Sequence, residues 1–113
     1  MVFREQHHTS TTQIALQDTF DVELEIVPDS HQQWVIASSG EHMAHEAFRL
    51  VEAQRYSSPS NQKQTPRHYQ RFRLQPIKLG VFVLTLHYKN FYETTYARQF
   101  TLTLHVTDKQ DYP

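Results

Sequence analysis

FRLQPIKLGVFVLTLHYKNFYETTYARQFTLTLHV, residues 72–106, holds three strand-like apolar runs, broken at residues 76–80 and again between Tyr88 and Tyr96. Phe82, Leu84, Leu86 and Tyr88 alternate with Val81, Val83, Thr85 and His87. Phe100, Leu102, Leu104 and Val106 alternate in the same way with Thr101, Thr103 and His105. Period two is what a strand shows when one of its faces meets a core. Two strands joined by a polar and aromatic loop are therefore expected.

Working outward, Phe20, Val22, Leu24 and Ile26 alternate with Asp21, Glu23 and Glu25, which predicts a strand that ends before Pro28 and turns its acids to solvent. Weaker runs at 13–16, 34–37, 47–56 and 69–75 bring the total to about seven strands. Residues 41–52 also suit a short helix, since Met43, Ala47 and Leu50 fall at helical spacing, whereas the alternation of Phe48 and Leu50 favours a strand. The polar stretch 57–67 reads as a long loop. Seven short strands in a chain of 113 residues predict a single all-β domain, an immunoglobulin-like antiparallel β-sandwich. The domain is expected over 11–107, between a flexible tail at 1–10 and a second tail at 108–113.

Eleven basic and twelve acidic side chains give a net charge of −1, so nothing in the overall balance favours a nucleic-acid or membrane partner. Eight histidines would make the surface more basic below about pH 6.5. With no cysteine, the chain has no disulfide, thiolate metal site or cysteine nucleophile. No apolar run has the length of a membrane span, and the first residues lack a signal-peptide pattern. A cytoplasmic chain is expected, or a secreted or periplasmic one whose leader has been removed.

If the strands run up and down through the sandwich, alternate loops share an end. Loops 28–33, 57–67 and 89–96 then lie together, and 38–45 and 76–79 lie at the other end. Clustered loops on a rigid scaffold are where binding residues concentrate.

Each candidate chemistry has a plainer competitor. Asp29, Ser30 and His31 are the residue types of a hydrolase triad, but neighbours in one tight loop do not reach triad geometry, and Asp and Ser after Pro28 are more simply turn formers. His42, His45 and Glu46 hold metal-ligand atoms without a fourth ligand, so no metal or other cofactor is expected. Lys63, Arg67, Arg71 and Arg73, interleaved with Tyr69 and Phe72, could stack single-stranded nucleic acid. The solvent face of a strand explains Arg71 and Arg73 as well. Trp34 is expected to anchor the core. Lys89, Asn90, Phe91, Tyr92, Glu93 and Tyr96 form a cluster whose aromatics offer rigid contact area of the kind found at protein interfaces, or else Phe91 or Tyr96 folds back to cover the sandwich mouth.

On VELEIVP (22–28), Trp34, VEAQRY (51–56) and YQRFRLQPIKLGVFVLTLHYKNFY (69–92), the chain resembles the chagasin-like inhibitors of papain-family cysteine proteases. The likeness runs from about Thr11 to Val106. It implies an immunoglobulin-like scaffold whose three co-terminal loops form a wedge that blocks a protease cleft without covalent chemistry. The family's first loop carries Asn-Pro-Thr-Thr-Gly, whereas PDSHQQW (28–34) is shorter and lacks it; the long loop has no glycine; and Asn90, Phe91 and Tyr92 stand where the family has Arg-Pro-Trp. The scaffold carries over, and of the motifs only an aromatic does.

The expectation is a noncatalytic protein-binding module. Its partner is a papain-like cysteine protease, and its contacts are Asp29, Ser30, His31, Gln32, Asn90, Phe91 and Tyr92. The alternative is an adhesion, assembly or adaptor domain on the same scaffold. The oligomeric state is open, since sandwiches leave unpaired strand edges.

Overall fold

A computed structural model of the protein describes residues 1–28, 30–37, 47–58, 66–90 and 92–108. The strands among them are β1 (Val2–Phe3), β2 (Ser10–Ala15), β3 (Phe20–Ile26), β4 (Gln32–Ile36), β5 (Phe48–Ser57), β6 (His68–Pro76), β7 (Gly80–Asn90) and β8 (Arg98–Thr107). They form two four-stranded sheets, in the orders β1-β3-β6-β5 (sheet A) and β2-β8-β7-β4 (sheet B). The expected all-β, immunoglobulin-like sandwich is the fold observed.

The alternation read from the sequence becomes the core. Phe20, Val22, Leu24, Phe72 and Leu74 of sheet A face Trp34, Leu84, Leu86, Phe100, Leu102 and Leu104 of sheet B, all at most 5% exposed. Fully burying one such side chain is worth roughly 1.5–3 kcal/mol. Stability therefore resides in the central strands β3, β6, β7 and β8. Phe48 belongs to the same cluster through an edge-on contact with Phe20. β5 confirms the strand reading from Phe48 onward, while residues 41–46 and the His42, His45 and Glu46 set lie outside the described residues.

Three expectations need correction. The sheets are mixed, because β1 runs parallel to β3 and β2 parallel to β8. The first ten residues, expected as a tail, belong to the sandwich. Phe3 is buried, with its ring edge-on to Phe20, and the amide of Asp21 donates to the carbonyl of Met1. From β1 the chain passes through a 3-10 turn (Glu5–His7) and crosses to sheet B as β2. Thr9, with φ of 66°, makes the bend into β2. The Glu5 carboxylate accepts the amide of Glu25, a group that β1 is too short to pair. Such a strand is invisible to periodicity because two residues carry no period. The end of the chain, 109–113, lies outside the described residues.

The third correction concerns the outer face of sheet A. Asp21 and Glu23 are 6% and 7% exposed rather than solvated. The guanidinium groups of Arg71 and Arg73 converge on Asp21 at 2.6 and 2.9 Å, and Arg4 reaches Glu23 at 3.3 Å. The arginine bonds hold the Asp21 carboxyl below its ordinary value, against the opposing effect of burial. Arg71 and Arg73 are thus committed to an ion network and are not a stacking surface for bases.

Candidate functional site

Register fixes which loops meet. Ile26 pairs with His68 and Gln32 with Asn90, so the end of β3, the start of β6, the start of β4 and the end of β7 all lie at one end of the sandwich. The described roots of loops L1 (27–31), L2 (58–67) and L3 (91–97) lie at that end. The grouping expected from connectivity is the grouping seen.

The floor beneath these loops is aromatic. Trp34 and Tyr88, each 2% exposed, sit with ring centroids 5.2 Å apart, and the Arg98 guanidinium lies 5.4 Å from the Trp34 ring and 5.8 Å from that of Tyr88. Trp34 is the core anchor expected of it. Arg98 was missed, although it continues the even-numbered inward series of Phe100, Leu102 and Leu104 into the mouth of the sandwich. An arginine there caps the last rings with a cation–π contact and keeps its charge at the solvent edge.

Hydrogen bonds to buried groups hold L1 in shape. The Tyr88 hydroxyl accepts the amide of Val27 at 2.9 Å and lies 3.0 Å from the Ser30 hydroxyl. Ser30 in turn donates from its hydroxyl to the carbonyl of Val27 at 2.8 Å. Ser30 is thus a turn former, as the plainer reading had it. The indole N–H of Trp34 donates to the carbonyl of Glu25, which ties the start of β4 to the end of β3. Across the sandwich the Gln70 side chain acts as a surrogate strand for the edge of β4. Its Oε1 accepts the Trp34 amide at 2.8 Å, and its Nε2 donates to the Trp34 carbonyl at 2.9 Å.

L3 closes through the amide of Ala97 to the carbonyl of Tyr88, and turns through the amide of Glu93 to the carbonyl of Asn90. Its returning limb is held by Tyr96, whose ring stacks on His87 at 4.0 Å and 8°. Tyr96 therefore lies on the outer face of sheet B, not over the mouth. Burial pushes His87 below its ordinary value, and the charge of Lys89 adds to the effect. At the root of L2, Tyr56 stacks on Tyr69 with centroids 5.5 Å apart, and burial together with the Glu23 carboxylate pushes the Tyr56 hydroxyl up to about 12.

Of the residues expected to contact a partner, His31, Asn90 and Tyr92 line one shallow depression with Glu93, and Tyr92 is 94% exposed. Gln32 pairs with Asn90 at the first rung of β4, beside that depression. Asp29 and Phe91 lie outside the described residues. A second cleft of about 500 Å³ separates L1 from L2, with Val27, Pro28, Pro66 and Arg67 in its walls. No local pattern points to it, because it depends on how two loops distant in the chain are spaced. Among the described residues no cluster of three or more His, Asp or Glu side chains forms a metal site.

No protein-family model and no curated protein sequence matches the chain. Solved structures do. The fold is similar to that of EhICP2, a cysteine protease inhibitor from Entamoeba histolytica, with a TM-score of 0.76 and 19% identity over 94% of this chain and 93% of that one. Amebosin matches with a TM-score of 0.66 and 18% identity over 94% of this chain and 96% of that one. PbICP-C, solved in complex with falcipain-2, matches with a TM-score of 0.54 and 13% identity over 95% and 90%. What the chain shares with these proteins, at such identities, is the path of the backbone through the whole domain, and it is the scaffold that the resemblance to chagasin-like inhibitors implied.

Proposed function

We propose that the chain is a noncatalytic protein-binding module whose L1–L3 end occludes the cleft of a papain-family cysteine protease. The observation that carries this reading is the meeting of three loops at one end, with the nearly fully exposed Tyr92 beside His31 and Asn90. The likeness in fold to a cysteine protease inhibitor supports it. Phe91 and Tyr92 act as aromatic anchors, the residue class that dominates binding energy at interfaces. Asp29, Ser30, His31 and Gln32 form one flanking wall, shaped from within by Ser30 and Tyr88, and L2 forms the other. Inhibition is by exclusion of substrate.

Titration against papain-like proteases tests the reading, with inhibition expected at micromolar inhibitor. Tyr92→Ala and Phe91→Ala should each weaken it by roughly 30-fold, as truncation of an interface hot spot does. Absence of inhibition at micromolar concentration rejects protease binding; capture of a nonprotease partner, lost in the same variants, would then support the adaptor alternative. Inhibition unchanged by both substitutions rejects the assignment of the anchors.

A further inference from the structure

Among the described residues Arg98 is the one arginine without a polar side-chain partner. Arg4, Arg67, Arg71 and Arg73 reach acids of β3, Arg49 reaches Gln75 and Arg55 reaches Gln33. Arg98 rests on rings instead, its guanidinium 5.4 Å from that of Trp34 and 5.8 Å from that of Tyr88. The acid of L3, Glu93, accepts from the Asn90 side chain. Trp34 pairs with Tyr88 and Tyr88 with Arg98, so the three form one row across sheet B at the mouth of the sandwich. From β8 the Arg98 side chain reaches back across β7 toward β4. The residue is exposed, and its charge lies open between the roots of L1 and L3.

We propose, on the reading of L1–L3 as the binding end, that Arg98 is a further contact residue there, a preset receptor for a carboxylate, and that the bound protease presents an Asp or Glu side chain at the rim of its cleft. A planar guanidinium laid against aromatic faces keeps its N–H donors at the edge, in the fork that matches a carboxylate. Exposed ion pairs are weak chiefly because two long side chains must be immobilised to form them. Here two rings already hold one of the pair, so less freedom is lost when the partner's acid arrives. The contact with the rings uses the face of the cation and leaves its hydrogen bonds to be made. Covering by a partner then removes water from around the pair and strengthens it.

Inhibition of the papain-like protease that the chain blocks most strongly tests this, with wild type, Arg98→Gln and Arg98→Lys compared at about 20 mM and about 500 mM salt. At low salt Arg98→Gln should bind about tenfold more weakly than wild type, and Arg98→Lys, which keeps the charge and loses the fork, should fall between them. The gap between wild type and Arg98→Gln should shrink to about threefold or less at high salt. A gap that is the same at both salts means that Arg98 only supports the Trp34 and Tyr88 rings, and it overturns the proposal, as does Arg98→Gln binding like wild type. The receptor is also tested without a protease. In the intact chain the Arg98 Nε–H resonance should move saturably with N-acetylglutamate at about 10–100 mM and stay in place with N-acetylglutamine. No movement, or equal movement with both, overturns the proposal. Movement with N-acetylglutamate alone, in a chain that inhibits no protease, supports the receptor and rejects the protease as its partner.

Discussion

Replacing Gln70 with leucine keeps the side-chain volume and removes both ends of the surrogate strand pairing. The Trp34 amide and carbonyl then point from the edge of β4 into a buried gap, because Gln70 is 8% and Trp34 2% exposed. A buried main-chain group without a partner costs about 1–3 kcal/mol, so the two together cost about 2–6. Leucine recovers some apolar burial, which places the expected loss near 3 kcal/mol. That is a large part of the roughly 5–15 kcal/mol that holds a domain of this size folded. Urea unfolding should show a lower midpoint at unchanged slope, and calorimetry a fall in Tm of roughly 10–20 °C. Gln75→Leu is the matched control. Its amide also bonds a main-chain carbonyl, that of Gln17, but in an exposed setting where water can substitute, so the loss should stay below about 1 kcal/mol. A Gln70→Leu protein within about 1 kcal/mol of wild type would refute the reasoning, since it would mean that the edge of β4 never depended on sheet A.

Tyr88→Phe removes the hydroxyl that anchors L1. Because Val27 is 57% exposed, water replaces the lost bond and the loss of stability should be about 1 kcal/mol or less. Amide exchange at Val27 should nevertheless accelerate, and binding through L1 should weaken by roughly fivefold; unchanged exchange would show that the hydroxyl does not hold the loop. Asp21→Asn keeps the shape and removes the charge facing Arg71 and Arg73, which are 31% and 40% exposed and partly screened by water. A loss of about 1.5–3 kcal/mol at neutral pH is expected. The Asp21 pKa is lowered in the fold from its ordinary 3.8, so its contribution is complete above that value and drains away as pH falls through the folded one. The difference between wild type and Asp21→Asn in urea unfolding should thus narrow below about pH 4, and a constant difference down to about pH 2 would contradict the ion network.

The central strands were legible because their chemistry is local. The alternation through Phe82 to Tyr88 and through Phe100 to Val106 states both the strand and its buried face, and up-and-down connectivity from those strands places L1, L2 and L3 together. What depended on distant partners was not legible. Val2 and Phe3 form a strand only because β3 offers them a free edge. Asp21 and Glu23 alternate like any solvated acids, and nothing within β3 announces that arginines from β6 and from residue 4 will cover them. At the site, Tyr92 could be singled out by composition, but the anchoring of L1 by the Tyr88 hydroxyl could not, because it joins a core strand to a loop sixty-one positions away. Arg98 stood within reach of pattern reading, had the inward series been followed past its last apolar member.

The arch from β1 through Glu5–His7 to β2 also bears on how the chain acquires its structure during synthesis. All four strands of sheet A precede Ile77, whereas sheet B needs β8, near the end of the chain, to fill the place between β2 and β7. At about 5–20 residues per second, the interval between completing β6 and completing β8 is roughly 2–6 s. Through that interval the inner surface of sheet A, with Phe20, Leu24, Phe72 and Leu74, has no full cover, which is the exposed state that invites aggregation. The arch shortens the remaining search. By fastening β2 beside an already assembled sheet, it makes a segment synthesised before the rest of the sandwich the template on which β8 docks.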